Sequence, residues 1–211
     1  MKKELQNKTS ADLMPQTTVN QYGEKSVHIG RVDSMSQNVF LCPIMQQLPN
    51  GTMQPTNKQL NTSCYHLFVL GGETFVDNHF IVSPDRALCQ HWTNDNLREK
   101  YGKLTKECID ELKTFPALFM PESDGYYAKP SDKQQAFWGI LEDIRIQDNG
   151  IKIRFKSIWP IPLREICNIG FELGLMDMTK AITELNRTHW ALKNINLIEE
   201  LKDANISIFG I

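Results

Sequence analysis

The sequence predicts an α+β fold: mixed strands and helices first, then a β-hairpin packed on C-terminal helices. Three observations carry this. Short apolar runs lie beside stretches whose apolar residues recur at helical spacing. Asn149-Gly150 separates two long alternating segments; Asn-Gly is the strongest short hairpin signal because both residues tolerate positive φ. The 211 residues are 41% hydrophobic and 23% charged, ordinary globular usage, with enough apolar material for a core.

Residues 1–25 are polar and nearly free of large apolar groups. They cannot bury enough surface to offset their ordering entropy, which predicts a flexible tail. Val27 to Ile44 reads as strand-rich, with Val27, Ile29 and Val39-Phe40-Leu41 interrupted by a polar turn at Asp33 to Asn38. Gln46 to Ser63, with Pro49-Asn50-Gly51 and Pro55-Thr56-Asn57, predicts a long loop. Tyr65 to Leu70 is a buried strand closed by Gly71-Gly72, and Phe75 to Val82 a weaker one. Ser83-Pro84-Asp85 carries the capping, first-turn and acidic signals of a helix start. Thr105 caps the clearest helix, with Leu104, Cys108, Ile109, Leu112 and Phe115 on one side and Pro116 as its stop. A second loop runs from Met120 to Asp132.

The C-terminal half opens with the hairpin, Ala136 to Ile146 and Ile151 to Ile158. A two-residue loop at Asn149-Gly150 sets Ile146 opposite Ile153 and Ile144 opposite Phe155, all on one face. Pro160 and Pro162 end the second strand. Helices follow at Pro162 to Phe171 and Thr179 to Lys193. Asn196 caps a last helix through Leu201, and Ile206 to Ile211 adds a short strand. The chain thus divides into residues 1–25, an α+β half at 26–120 and a hairpin-plus-helices half at 133–211, the two halves forming one unit.

Bulk properties exclude several functions. The net charge of −2 supplies no global basic field for nucleic acid. No run of about 18 apolar residues exists, and the N-terminus lacks the apolar stretch of a signal peptide. The expected location is therefore cytoplasmic, with no membrane partner and the five cysteines reduced. No motif implies a cofactor, and nothing specifies the oligomeric state.

The hairpin's other face gathers cations. In the expected register Gln147 meets Lys152, Arg145 meets Arg154 and Asp143 meets Lys156. Two opposed guanidinium groups repel unless an anion lies between them, where they could grip a phosphate or carboxylate. The plain alternative is a solvated sheet face. A second cluster, Asn186-Arg187-Thr188-His189-Trp190, packs a cation, a hydroxyl, an imidazole and an indole closely enough for a ligand or interface site. A core histidine satisfied by its neighbours is the alternative there.

Weaker patterns are Cys64-Tyr65-His66 with Cys89-Gln90-His91, a zinc set of atypical spacing, and Asp85 with Glu111 and Lys113, a nuclease-like trio that a helix would splay apart. No metal site is expected.

These readings predict a non-enzymatic binding or adaptor protein. Arg145, Lys152, Arg154 and Lys156, with Arg187, Thr188, His189 and Trp190, would bind a protein partner or a small anionic ligand. The class also fits accessory components of bacterial phage defence, an expectation about gene content that rests on no residue. The alternative is a hydrolase or nuclease with His189 or His79 as acid or base. Stacking of single-stranded nucleic acid on Trp138, Trp159 or Trp190 is disfavoured by the net acidity.

Overall fold

The computed structural model describes residues 39–73, 75 and 77–208. The expected tail, Val27, Ile29, the turn at Asp33 to Asn38 and residues 209–211 lie outside this range. The described residues belong to one compact unit. The α+β fold is as expected: the described residues form eight strands in two sheets, with four short helices.

Strands β1 (Val39–Gln47) and β2 (Met53–Asn61) form a two-stranded antiparallel sheet. This replaces the expected loop at Gln46 to Ser63. The turn signal at Pro49-Asn50-Gly51 is real, with Gly51 at φ +81°. The strand after it went unread because Gln54, Thr56, Asn57 and Gln59 give it no apolar alternation. Pairing holds β2, together with Lys58, whose Nζ donates to Leu141 O at 2.7 Å. Pro55 is tolerated because its strand lies at a sheet edge.

The larger sheet comprises β3 (Tyr65–Leu70), β4 (His79–Val82), β5 (Pro116–Pro121), β6 (Gln135–Gln147), β7 (Gly150–Pro162) and β8 (His189–Lys193), in the order β4-β7-β6-β5-β3-β8. Only β3 and β5 are parallel. Strands on both sides of residues 121–132 therefore share one sheet. Every residue of β3 is buried, as expected of a strand covered on both faces.

The sheet curls. Phe68 on β3 and Phe80 on β4 have ring centroids 5.1 Å apart, although four strand spacings, about 19 Å on a flat sheet, separate them in strand order. Phe119, Phe155 and Trp190 join them inside the curl. Cys89 N donates to Trp190 O at 2.9 Å, so the segment after β4 reaches the far edge at β8. Helices α1 (Asp95–Tyr101) and α2 (Lys106–Leu112) contribute Tyr101 and Leu112 to this core. The other face carries Leu67, Val69 and Trp138, packed with residues of α3 (Leu163–Asn168) and α4 (Leu197–Asp203).

Several expectations are corrected. The predicted helix at Ser83 is a single 3-10 turn, Pro84–Arg86, without a side-chain cap from Ser83. The helix after Thr105 stops at Leu112, and Pro116 opens β5, a strand the sequence reading left unassigned. Thr179 to Lys193 is not a helix. Its last five residues form β8, pairing with the edge of β3 that would otherwise present unpaired backbone N–H and C=O groups. Residues 206–208 are not strand. Thr105 and Asn196 do cap their helices, accepting from Cys108 N and Glu199 N.

The hairpin exists but its register differs by two residues. Gln147 pairs with Gly150, Ile146 with Ile151 and Ile144 with Ile153. The two-residue loop is thus Asp148-Asn149, with Gly150 at φ +132° as the first strand residue. A shift of two keeps every side chain on its face, so Ile144, Ile153 and Phe155 are buried as expected, while Ile146 at the tip is exposed. The opposed partners change: Arg145 faces Lys152, and Asp143 faces Arg154. A bulge between Leu141 and Asp143 then moves Lys156 opposite Ile140.

Candidate functional site

Two loops meet beyond the ends of β5 and β8. The first, residues 122–134, is fixed by its own polar groups. Ser131 N donates to Asp124 Oδ1 at 2.9 Å, and Gln134 bridges Asp124 N and Glu122 O. The backbone and hydroxyl of Ser131 hold the Asp124 carboxyl below its ordinary range. A Cβ on Gly125 would lie 1.8 Å from Lys129 O, so only glycine fits that turn.

The second loop, residues 169–188, ends in a 3-10 turn, Glu184–Asn186, capped by Thr183. The carboxamide nitrogen of Asn186 donates to Ser123 O and to Gly125 O, both at 2.9 Å. Tyr127 N donates to Ala181 O at 3.0 Å, and Ser123 N to Leu185 O at 2.7 Å. With the bond from Thr188 Oγ1 to Glu122 Oε1, five hydrogen bonds join the loops.

The joined loops display Tyr126 and Tyr127, which are 64% and 58% exposed. Met176 and Ile182 on the second loop are exposed as well. Tyr127 and Ala128 both have φ +55°, and Asp177 has φ +61°. Left-handed backbone at such residues costs on the order of 1 kcal/mol or more each, and persists only where surrounding contacts enforce it.

Beside the tyrosines, Ser83, Arg86, Glu122, Asn186, Arg187 and Thr188 line an open cavity of about 410 Å³. Thr188 Oγ1 donates to Glu122 Oε1 at 2.6 Å and accepts from Gly71 N at 2.8 Å. Arg86 lies 3.4 Å from Asp85. Among the described residues Arg187 has no carboxylate within pairing distance, and Glu122 no cation.

The cluster read as Arg187 to Trp190 therefore splits. Arg187 and Thr188 reach the cavity. His189 and Trp190 point inward and are wholly buried. Trp190 Nε1 donates to His66 Nδ1. His189 lies 3.1 Å from Glu184 Oε1, and Lys193 Nζ contacts both Glu184 oxygens, at 2.8 and 3.0 Å.

The hairpin cations gather elsewhere, and singly. Arg145 Nε lies 2.6 Å from Asp143 and Arg154 3.8 Å from Glu142. Lys152 is half-buried, and Lys156 Nζ donates to Met45 O at 2.9 Å. The opposed arginine pair does not form, because the register that would create it is not adopted. Lys156 also borders an apolar groove of about 490 Å³ with Pro43, Met45, Pro55 and Trp159.

Other candidate chemistry is dispersed. His79 is exposed and contacts Asn78 Oδ1 at 3.2 Å. Burial pushes the thiols of Cys42 and Cys167 up to about 11, and Cys64 upward too, which disfavours thiolates there. Among the described residues no three His, Cys, Asp or Glu side chains gather for a metal ion. Glu111 accepts from Lys100 and Tyr101, while Lys113 pairs with Asp110, so the nuclease-like trio is not assembled. Trp138 is buried. Among the described residues no helix is long and apolar enough to cross a membrane. Tyr126 and Tyr127 were not singled out in the sequence, although adjacent tyrosines after glycine in a turn-rich stretch were the available signal.

No protein-family model matches this chain, nor does any curated protein or solved structure.

Proposed function

We propose that this chain is a binding module whose contact surface is Tyr126, Tyr127, Met176 and Ile182 with the neighbouring arginines Arg86 and Arg187. Its partner is another protein that presents a carboxylate to Arg187. The observation that carries this reading is the pair of exposed tyrosines on a loop held in left-handed backbone by the second loop. Tyrosine, methionine and arginine are the side chains enriched where proteins meet. A rigid loop loses little conformational entropy on binding, so its aromatic area converts efficiently into affinity. Arg187 brings a charge that lacks a carboxylate partner among the described residues, and a partner's carboxylate would satisfy it in bidentate fashion.

The test compares capture by the full chain and by the double variant Tyr126→Ala/Tyr127→Ala. A protein cross-linked to the native chain should bind the double variant at least about 30-fold more weakly, the loss of a hot spot worth about 2 kcal/mol. The control Arg145→Glu/Arg154→Glu should retain binding. Equal binding by the tyrosine variant, or association of the chain only with itself, would overturn the reading.

A further inference from the structure

Beneath the contact loops, His189 sits between two acceptors. Its Nδ1 lies 2.7 Å from Arg187 O and its Nε2 3.1 Å from Glu184 Oε1. A carbonyl oxygen only accepts, and an ionised carboxylate only accepts, while a neutral imidazole carries one N–H. Both contacts can be hydrogen bonds only if one further proton is present, on the second ring nitrogen or on Glu184. His66 shows the contrast: its Nδ1 faces the Trp190 N–H donor and its Nε2 faces Leu112 O, so a single ring proton satisfies both sides.

The remaining charges around His189 are accounted for. Lys193, also on β8, donates to Glu184 Oε2 and to Gly174 O, both at 3.0 Å, and its Nζ pairs with Glu184 Oε1 at 2.8 Å. Met176 N donates to Glu184 Oε2 at 2.7 Å. From β3, Tyr65 directs its hydroxyl to Leu173 O, and from the segment after β4 the Trp92 ring lies 5.6 Å from the imidazole. Among these titratable groups only Glu184 contacts a ring nitrogen of His189.

We propose that His189 and Glu184 hold one shared proton, and that its loss to solvent loosens the contact surface. This rests on the reading of the two loops as that surface. When the proton leaves, the ring keeps a single N–H. If Nδ1 keeps it, a lone pair on Nε2 faces the Glu184 carboxylate. If Nε2 keeps it, a lone pair on Nδ1 faces Arg187 O. Either way one short contact becomes repulsive. The first displaces the turn Glu184–Asn186, whose Asn186 anchors Ser123 and Gly125. The second displaces the peptide of Arg187, whose side chain lines the cavity. Both routes act on residues that shape the proposed surface, and neither requires a change elsewhere in the sheet.

The experiment is a pH titration of the isotopically labelled full chain between about pH 5 and 9, following the ring nitrogens of His189 and the amides of Tyr127, Arg187 and Thr188. At the acidic end both ring contacts should show a bound proton. As the proton leaves, the Arg187 and Thr188 amides should shift with the same midpoint as the ring. In Glu184→Gln the carboxamide can donate to Nε2 and still accept from Lys193, so the coupled step should vanish. A ring with one proton and an acceptor nitrogen across the whole range would overturn the proposal, as would a ring that titrates while Arg187 and Thr188 stay fixed. The native chain decides this alone if Glu184→Gln does not fold. No partner is needed, so a failed capture experiment and a failed titration refute different statements.

Discussion

Trp190 Nε1 donates to His66 Nδ1 at 3.0 Å, while His66 Nε2 reaches Leu112 O at 2.9 Å, all inside the curled sheet. Burial pushes His66 down to about 4 from an ordinary 6.5. The unfolded chain therefore takes up a proton at a higher pH than the folded chain. The contribution of His66 to stability is full above pH 6.5 and is lost as pH drops through about 4, by about 3 kcal/mol in total. Denaturant titrations at several pH values should show this slope, and His66→Phe should flatten it.

The two buried tryptophans of the sheet make an internal comparison. Trp138 Nε1 has no hydrogen-bond partner among the described residues, whereas Trp190 Nε1 has His66. Trp190→Phe removes a donor and strands an acceptor, but Trp138→Phe removes a donor that was unsatisfied. Trp190→Phe should be the more destabilising of the two by about 1–3 kcal/mol, measured by urea unfolding.

Asn186→Ala removes two of the bonds that hold the tyrosine loop. The amide of Tyr127, bonded to Ala181 O, should exchange with solvent faster in this variant, while the amides of β6 and β7 exchange as before. The stability cost should be about 1–3 kcal/mol. Unaltered exchange at Tyr127 would show that the loop holds itself.

Gly139 lies at the bulge of β6, where a Cβ would stand 2.2 Å from Lys156 O. Gly139→Ala should force β6 and β7 apart and lower stability by more than about 2 kcal/mol. Arg145→Ala on the exposed hairpin should change it by less than about 1 kcal/mol. Thermal melts of the two variants check both statements.

What the sequence disclosed follows from how local each signal is. Thr105 and Asn196 were legible as caps because a cap needs only its own turn. The hairpin faces were legible because isoleucine alternates along each arm, but a slip of two residues preserves that alternation, so the pairing of Arg145 was not. β2 was hidden by its polar residues, and β8 by the accidental helical spacing of Ile182, Leu185, His189 and Leu192. Arg187 and Thr188 were singled out for their chemistry and do line a cavity. Their neighbours Glu122 and Arg86 arrive from distant segments, and no local pattern joins them.

The strand order imposes a schedule on synthesis. β3 lies between β5 and β8, and its last neighbour is complete only at Lys193. A growing chain therefore carries a strand destined for burial with both edges bare until β5 is made, and with one bare edge from then until β8 is made. A copy cut short before residue 189 should aggregate rather than fold, because it lacks the strand that covers this edge of β3.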